Sequence, residues 1–264
     1  MTRHPRAPLP TLDYDQVADT YNTRFHMEHD RPQVAAAVCE LAYEVAAYRV
    51  LEVGCGTARW LAGLSDMGMA AYGLDPSWGM LAQAQARPAF LSLTRGRGEQ
   101  LPFSDATFDL VYCVNAIHHM RGQRDFVQEA RRVLRRGAVA VLALDTRAHR
   151  DDWYIYDYFP GTYALDLARH PDHAEVLEWL RDAGLKRVQR HVVDRIAADK
   201  VGRAVLADPF LRKDAVSQLA MLSDAAYDAG IRRIQAAIAA AEFVGETLIF
   251  PTRLVMEMLV GYLE

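Results

Sequence analysis

The chain has 264 residues, of which 51% are hydrophobic and 24% are charged, and its formal net charge is −4 at pH 7. This length supports one large domain or two small ones with a sizeable apolar core. The slightly acidic balance and the dispersed basic residues argue against nucleic acid as a partner. The scattered cysteines Cys39, Cys55 and Cys113 suggest neither a disulfide framework nor a zinc knuckle.

The first residues, MTRHPRAPLPTLDYDQ, carry prolines and charges where a secretion signal would need an apolar core. No apolar run in the sequence approaches the length of a membrane span. We therefore expect a soluble cytoplasmic protein without membrane contact, either a monomer or a homodimer.

Helix-like and strand-like segments alternate through the first 145 residues. The strand-like runs are too continuously apolar to be half-exposed, which is typical of a parallel sheet covered by helices on both faces. The predicted fold class is therefore α/β. In chain order we expect helices at 33–48, 59–67, 77–86 and 125–134, the last closed by Arg136 and Gly137, and strands at 49–53, 70–74, 89–93, 108–114 and 138–144.

The alternation is interrupted after Asp145. Residues 146–171 contain the aromatic stretch DDWYIYDYFPGTY and form too long a segment for an ordinary loop between a strand and a helix, so they are interpreted as an insertion. A helix at 172–183, a strand at 186–196, helices within 200–243 and a last strand at 254–262 follow. We expect the two inserted segments to pack together as a cap over one edge of the core.

The stretch VLEVGCGTARW, residues 50–60, joins a buried strand to a helix through a glycine turn. Gly54 permits the sharp turn, and Gly56 allows a ligand to approach the backbone closely. The third glycine of a dinucleotide-binding fingerprint would fall at Arg59. Its absence weakens the interpretation as a nicotinamide-dependent dehydrogenase.

Two carboxyl groups lie beside this turn. Asp75 follows Gly54 by 21 positions, where a carboxylate accepts hydrogen bonds from ribose hydroxyls, although a helix cap is the alternative interpretation. Glu52 lies near the end of a buried strand and therefore needs a partner, for which a cationic amine is a good candidate.

These residues carry a family resemblance. The motifs EVGCGT at 52–57, Asp75, GEQLPF at 98–103, FDLV at 108–111 and ARRVLRRGAVAVLAL at 130–144 resemble the class I S-adenosylmethionine-dependent methyltransferases, specifically the small-molecule type 11 group that includes ubiquinone and menaquinone methyltransferases. The resemblance is strong over residues 14–145. It implies a Rossmann-like sheet of seven strands with the last one antiparallel, helices on both faces, and S-adenosylmethionine as the cofactor, converted to S-adenosylhomocysteine.

The resemblance also implies a domain organisation. Residues 1–145 would hold lid helices and the cofactor-binding half of the sheet, and residues 146–171 would form an aromatic cap over the substrate. Residues 172–264 would complete the core, with a helical insertion at about 199–245.

Cofactor contacts follow from the same resemblance, residue by residue. Glu52 is expected near the amino group of the methionyl part. Arg97 stands where the family often has Asp, so either the backbone of Gly98 and Glu99 contacts the adenine or the alignment is shifted here by about one residue. The remaining expected cofactor contacts are Tyr21, Arg24, Gly54, Cys55, Gly56, Asp75, Pro76, Met80 and Asn115.

The catalytic candidates lie after the strands, at the sheet edge where ligands bind in parallel folds. His118 or His119 could act as a base near neutral pH, or either could pack the following helix. Asp145 could orient a histidine or the acceptor, or cap a helix. Since no cluster of carboxylates suggests a divalent ion, we predict a reaction that is independent of metal.

The acceptor contacts are expected to be aromatic. Such side chains suit a flat or apolar acceptor, although they could equally anchor the insertion or form a dimer contact. The candidates are Tyr14, Trp153, Tyr154, Tyr156, Tyr158 and Phe159.

The favoured function is methylation of a small, apolar or aromatic metabolite at oxygen, nitrogen or carbon. A cofactor-binding protein with a non-methylating or scaffolding role is the alternative, because fold does not fix function. A tRNA-modifying methyltransferase is disfavoured by the acidic balance and the unclustered arginines.

Overall fold

The computed structural model describes residues 12–22, 31–148 and 152–263. These residues form a seven-stranded sheet in the order β3-β2-β1-β4-β5-β9-β6 and a separate two-stranded antiparallel sheet of β7 and β8. In the sheet β9 is antiparallel to both neighbours and the other pairs are parallel, which confirms the α/β fold with an antiparallel last strand. The strands are β1 Arg49–Val53, β2 Ala70–Asp75, β3 Leu91–Arg95, β4 Phe108–Val114, β5 Leu134–Leu144, β6 Lys186–Ala197, β7 Lys200–Val201, β8 Ile249–Phe250 and β9 Arg253–Leu263.

Helices cover both faces of this sheet, as the continuously apolar strands require. Along β4, Leu110 and Tyr112 face a hydrophobic core built with α2 and α3, whereas Val111 and Cys113 face a core built with α5 and α8. The helices are α1 Ala18–Tyr21, α2 Pro32–Glu44, α3 Leu61–Asp66, α4 Trp78–Gln85, α5 Gln123–Val133, α6 Tyr154–Tyr158, α7 Thr162–Arg169, α8 His173–Asp182, α9 Ser217–Ala220 and α10 Asp224–Phe243. No helix of the described residues is both long and apolar enough to span a membrane.

The expected helix end at Arg136 and Gly137 is wrong. Helix α5 ends at Val133, and Gly137 lies inside β5 with φ of +84°. A Cβ on Gly137 would lie 2.0 Å from the carbonyl oxygen of Asp109, so glycine allows the two strands to approach each other here. Arg135 and Arg136 instead bind the buried carboxylate of Asp109.

The two inserted segments share a third hydrophobic cluster, to which α6, α10 and β8 contribute. Ile155 and Phe159 of the first segment pack with Ile234 and Ile238 of the second. The prediction of helices throughout 200–243 is wrong for its first part, which consists of β7 and short 3₁₀ turns up to Leu211. The cap therefore has its own core, beside the sheet edge at which β4 and β5 end.

Candidate functional site

A cavity of about 400 Å³ lies at the carboxyl ends of β1, β2 and β4. The glycine turn after β1 forms its floor. The backbone N–H groups of Gly54 and Cys55 hold this turn against β2, because they donate hydrogen bonds to the carbonyl of Leu74 at 2.7 and 3.0 Å. Gly54 has φ of +71°, and a Cβ there would lie 2.5 Å from the Cβ of Ala116. Gly56 has φ of +52° and open space where its Cβ would project. The turn in this conformation therefore favours glycine at 54, while glycine at 56 keeps the surface open.

Asp75 lines this cavity at the end of β2. One carboxyl oxygen accepts a hydrogen bond from the N–H of Gly56 at 2.8 Å, and the other accepts one from the N–H of Ser77 at 2.9 Å. Burial raises the pKa of Asp75, and these two donors oppose that shift. The carboxyl group is thus fixed in position, and each oxygen keeps a lone pair for a ligand.

Glu52 lies beneath the glycine turn and lines a small adjoining cavity of about 50 Å³ together with Gly54 and Gly56. Its side chain neighbours Tyr112 of β4, whose hydroxyl donates a hydrogen bond to Glu52 Oε2 at 3.2 Å. Burial raises the pKa of Glu52 to about 8, and the Tyr112 hydrogen bond only partly offsets this. A cationic group bound beside Glu52 would favour the ionised form.

Residues 12–22 cover the cavity as a lid, of which Asp13, Tyr14, Asp15 and Tyr21 are lining residues. Asp15 fastens this lid to α4. Its Oδ1 accepts hydrogen bonds from the hydroxyl of Ser77 at 2.6 Å and from the N–H of Gly79 at 2.7 Å. These bonds lower the pKa of Asp15, so the carboxylate stays ionised.

A second cavity of about 200 Å³ lies between the sheet edge and the cap. Its wall combines apolar side chains from the sheet, such as Leu144 and Met256, with Trp153 and Phe210 from the cap. The two cavities share a wall. The lining residues common to both are Tyr14, Tyr21, Val114, Asn115 and His119.

Three imidazole rings lie along the second cavity. The ring of His118 lies 3.9 Å from that of His119 and 4.0 Å from that of His170, with the latter pair stacked at 11°. Burial, followed by the neighbouring His119 and His170, holds the pKa of His118 well below its usual range, and burial lowers the pKa of His170 to about 4. His118 and His170 are therefore uncharged at neutral pH.

A hydrogen bond of 2.7 Å joins Tyr14 Oη to Nε2 of His119. The two rings meet edge to face, with centroids 5.1 Å apart. Because both residues line both cavities, this pair stands at the passage between them. A ligand atom crossing that passage would meet a group that can accept or donate a proton.

Comparisons with known proteins agree with this geometry. The family model of the "Methyltransferase domain" matches residues 51–142. A probable S-adenosylmethionine-dependent methyltransferase of Mycolicibacterium smegmatis is 31% identical over 55% of this chain and 55% of that protein, and a demethylmenaquinone methyltransferase of Beutenbergia cavernae is 29% identical over 49% and 56%. The chain thus spans about half the length of these curated relatives.

Solved structures show the same fold. A protein of Anabaena variabilis, described as a methyltransferase from an antibiotic biosynthesis pathway, superposes with a TM-score of 0.68 at 20% identity, over 88% of this chain and 98% of that one. Phosphoethanolamine N-methyltransferase 2 of Haemonchus contortus in complex with S-adenosyl-L-methionine superposes with a TM-score of 0.59 at 14% identity, over 94% and 57%.

Residues 51–142 thus match the methyltransferase domain of the type 11 group, and the fold of the chain is that of the class I S-adenosylmethionine-dependent methyltransferases. S-adenosylmethionine is the cofactor of this family. The residues of the site fit this cofactor. Among the described residues, the buried carboxyl groups of Glu52 and Asp75 form no ion pair, and the surface at Gly56 is open.

The structure brings most of the expected cofactor contacts together. The larger cavity is lined by the expected residues Tyr21, Gly54, Gly56, Asp75, Pro76, Met80, Gly98, Glu99 and Asn115. Cys55 lines the small cavity beside Glu52. Arg97 also lines the larger cavity, whereas the Glu99 carboxylate accepts hydrogen bonds from the N–H groups of Arg121 and Gly122. Arg24 lies outside the described residues.

Asp145 differs from the other catalytic candidates, because it does not line either cavity. Its Oδ1 accepts hydrogen bonds from the N–H groups of Arg147 and Ala148, in the turn that follows β5. It lies on the opposite face of the sheet edge, where its carboxylate, His173 and Glu257 have possible ligand atoms within 4.8 Å of one another. Within this group His173 Nδ1 and Glu257 are hydrogen-bonded to each other at 2.7 Å. The expected independence of metal stays a prediction.

The expected aromatic acceptor contacts are divided. Tyr14 and Trp153 line the second cavity, whereas Tyr154, Tyr156, Tyr158 and Phe159 are not lining residues but pack in the third hydrophobic cluster. The hydroxyl of Tyr154 donates to Asp208 and that of Tyr156 donates to Asp166, while Phe159 packs against Gly230. These four side chains hold the two inserted segments together because the cap needs an apolar core of its own.

Sequence reasoning missed several residues of the site. Asp15 had no local signal, since its partners Ser77 and Gly79 are more than sixty positions away. His170 and Asp208 line the second cavity from segments that carry no motif. Only their convergence in the folded cap reveals them.

Proposed function

We propose that this protein transfers a methyl group from S-adenosylmethionine to a small, largely apolar or aromatic molecule. One observation carries the proposal: the cavity lined by the glycine turn and Asp75 shares a wall with a second cavity, which is more apolar. A transfer reaction needs donor and acceptor to meet in line, and two cavities that share a wall provide that arrangement. A volume of about 200 Å³ in the second cavity suits a small molecule.

S-adenosylmethionine, when bound, supplies a methyl group on a positively charged sulfonium, ready for displacement. In this proposal Glu52 faces the cationic amino end, Asp75 accepts hydrogen bonds from the ribose hydroxyls, and Met80 packs against the adenine. The lid residues Tyr14 and Tyr21 exclude water from the reacting centre.

His119 and Tyr14 serve as the proton-accepting pair of this proposal. They are hydrogen-bonded to each other and lie in both cavities. His118 lines only the acceptor cavity, and its pKa well below the usual range makes it a weak base. We therefore assign the proton-accepting role to His119 and an acceptor-positioning role to His118.

The cap is assigned to acceptor selection. Residues 146–171 contribute Trp153 and His170 to the acceptor cavity, and the helical insertion at about 199–245 contributes Phe210, Val216 and Gln218. Because the cap has its own core, its cavity-lining residues can differ between proteins without loss of the sheet.

The test is incubation with S-adenosylmethionine that carries a trideuterated methyl group, together with a panel of phenols, aromatic amines and hydroxylated isoprenoids. Mass spectrometry should show the label in one acceptor class and an equal amount of S-adenosylhomocysteine. The Asp75→Ala variant should slow this turnover at a subsaturating concentration of S-adenosylmethionine, and an Asp66→Ala variant, altered on the exposed surface of α3, should not. Tight binding of S-adenosylmethionine without label transfer to any class would contradict the proposal and favour a non-methylating role.

A further inference from the structure

The buried carboxyl groups of the described residues fall into two sets. Asp109, Asp166 and Glu257 are each paired with an arginine or histidine. The other three form no ion pair, and every one of them lines a cavity. They are Glu52 in the small cavity, Asp75 in the cofactor cavity and Asp208 in the acceptor cavity.

Asp208 is 7% exposed and lies between two 3₁₀ turns of the cap. Its Oδ2 accepts a hydrogen bond from the hydroxyl of Tyr154 at 3.1 Å, and its Oδ1 accepts one from the N–H of Phe210 at 3.0 Å. Both partners are neutral donors, so neither supplies a positive charge opposite the Asp208 carboxyl group. Each oxygen has lone pairs left, since a carboxylate accepts about four hydrogen bonds.

Fold stability does not account for a charge at this position. Capping the short turn that begins at Pro209 needs only a side-chain oxygen, which Asn or Ser also supplies. Burying a carboxylate without a cation costs free energy. Glu52 and Asp75 are buried without a cation at cavities that we assign to the cofactor. Asp208 is buried in the same way at the cavity that we assign to the acceptor.

Positive charge on the acceptor-cavity wall is already compensated. Arg31 is the one Lys or Arg among the described lining residues, and it is paired with Asp194 at 3.1 Å. The lining rings of His118 and His170 are uncharged, because burial lowers their pKa values. Among the described lining residues Asp208 is thus the one acidic side chain, and Arg31, the one Lys or Arg there, is paired elsewhere.

Aromatic rings surround the same cavity. Trp60, Trp153 and Phe210 line it together with Tyr14 and Tyr21. Aromatic faces attract cations, most strongly when the cation is removed from water. A carboxylate with neighbouring aromatic rings is the combination that recognises an alkylammonium group.

We propose that the acceptor of this methyltransferase is an aromatic or apolar amine whose protonated nitrogen binds Asp208, at a position separate from the atom that is methylated. Asp208 is thus a specificity-determining residue of the acceptor site. This inference rests on the proposed methyl transfer, and it narrows the acceptor to a cationic class.

The experiment is calorimetric titration of the full chain, saturated with S-adenosylhomocysteine, at pH 7.5. The ligands are two matched pairs, 2-phenylethylamine with 2-phenylethanol and tryptamine with tryptophol, in which an ammonium group replaces a hydroxyl. At least one amine should bind about tenfold or more tightly than its alcohol, as expected for one charge-assisted contact in a dry site. Equal binding within both pairs, or no binding of any of the four compounds, would overturn the proposal.

Two variants test whether Asp208 causes the preference for the amine over the alcohol. Asp208→Asn keeps a capping oxygen and should abolish the preference for the amine, while Asp228→Asn makes the same charge change on the exposed surface of α10 and should leave it intact. An amine preference that persists in Asp208→Asn would overturn the assignment. The prior titration with S-adenosylhomocysteine distinguishes the proposed function from this inference. If S-adenosylhomocysteine does not bind, the proposed function is contradicted. If it binds but no amine is preferred, only this inference is contradicted.

Discussion

Tyr14 and His119 lie 105 positions apart in the sequence, yet a 2.7 Å hydrogen bond joins their side chains where the two cavities meet. The bond connects the lid to the 3₁₀ turn after β4, so it contributes both to covering the cofactor and to the position of the imidazole. The following predictions test this arrangement and the turn beneath it.

Removal of the Tyr14 hydroxyl should loosen the lid. In Tyr14→Phe the ring stays and the hydrogen bond to His119 is lost, so the affinity for S-adenosylhomocysteine should fall by about 0.5–1.5 kcal/mol, the net value of one hydrogen bond. Calorimetry measures this. Tyr43→Phe, in which the altered side chain is 82% exposed on α2, is the matched control and should bind as the unaltered protein does. Equal affinities for both variants would show that the lid does not depend on this bond.

Glu52 should make the stability of the free protein dependent on pH. Its folded pKa of about 8 lies above its ordinary value of 4.5, so between these values the folded state retains a proton that the unfolded state has lost. The free energy of unfolding should therefore fall as pH rises from 4.5 towards 8. Urea denaturation at pH 5, 6.5 and 8 should show a shallower decline in Glu52→Gln. The same decline in both proteins would mean that Glu52 is ionised in the folded state.

The two glycines of the turn should respond differently to alanine. At Gly54 a Cβ would lie 2.5 Å from Ala116 at φ of +71°, so Gly54→Ala combines a clash with backbone strain and should destabilise the fold by more than about 1–3 kcal/mol. At Gly56 the Cβ meets no atom within 4 Å. Gly56→Ala should cost only about 1–2 kcal/mol of stability, but it should weaken cofactor binding because its methyl group projects into open space above the turn. Thermal unfolding and calorimetry distinguish the two effects, and equal stability losses would contradict the geometry.

Asp75 should matter for the cofactor more than for the fold. Asp75→Ala removes the acceptor that we assign to the ribose, and S-adenosylmethionine binding should weaken by roughly 1–3 kcal/mol. The loss of the hydrogen bonds from Gly56 and Ser77 should also loosen the turn. Asp66→Ala controls for the change of charge, and an unaltered affinity in Asp75→Ala would show that the ribose is bound elsewhere.

The sheet and the glycine turn were predictable because their signals are local. The run 49–53 is apolar and the glycines follow it directly, so strand, turn and helix could be read from neighbouring residues. The end of α5 was not predictable, because Gly137 serves a close contact with Asp109 in a strand rather than a helix cap. That contact joins residues 28 positions apart.

The cap shows the limit of prediction from aromatic content. Tyr154 and Tyr156 look like ligand contacts in the sequence, but in the structure their rings are buried and their hydroxyls bind Asp208 and Asp166. The packing of the second inserted segment turns the α6 side chains into the core of the cap rather than towards the cavity. The acceptor residues His170 and Asp208 come from that packing, which no periodicity in the sequence records.

The most direct test of the account is calorimetric titration of the unaltered protein with S-adenosylmethionine and, separately, with NAD. The account predicts one binding site for S-adenosylmethionine per chain, weakened in Asp75→Ala, and no binding of NAD. Binding of NAD, or a failure to bind S-adenosylmethionine, would contradict the assignment of the cavity at Glu52 and Asp75 to this cofactor.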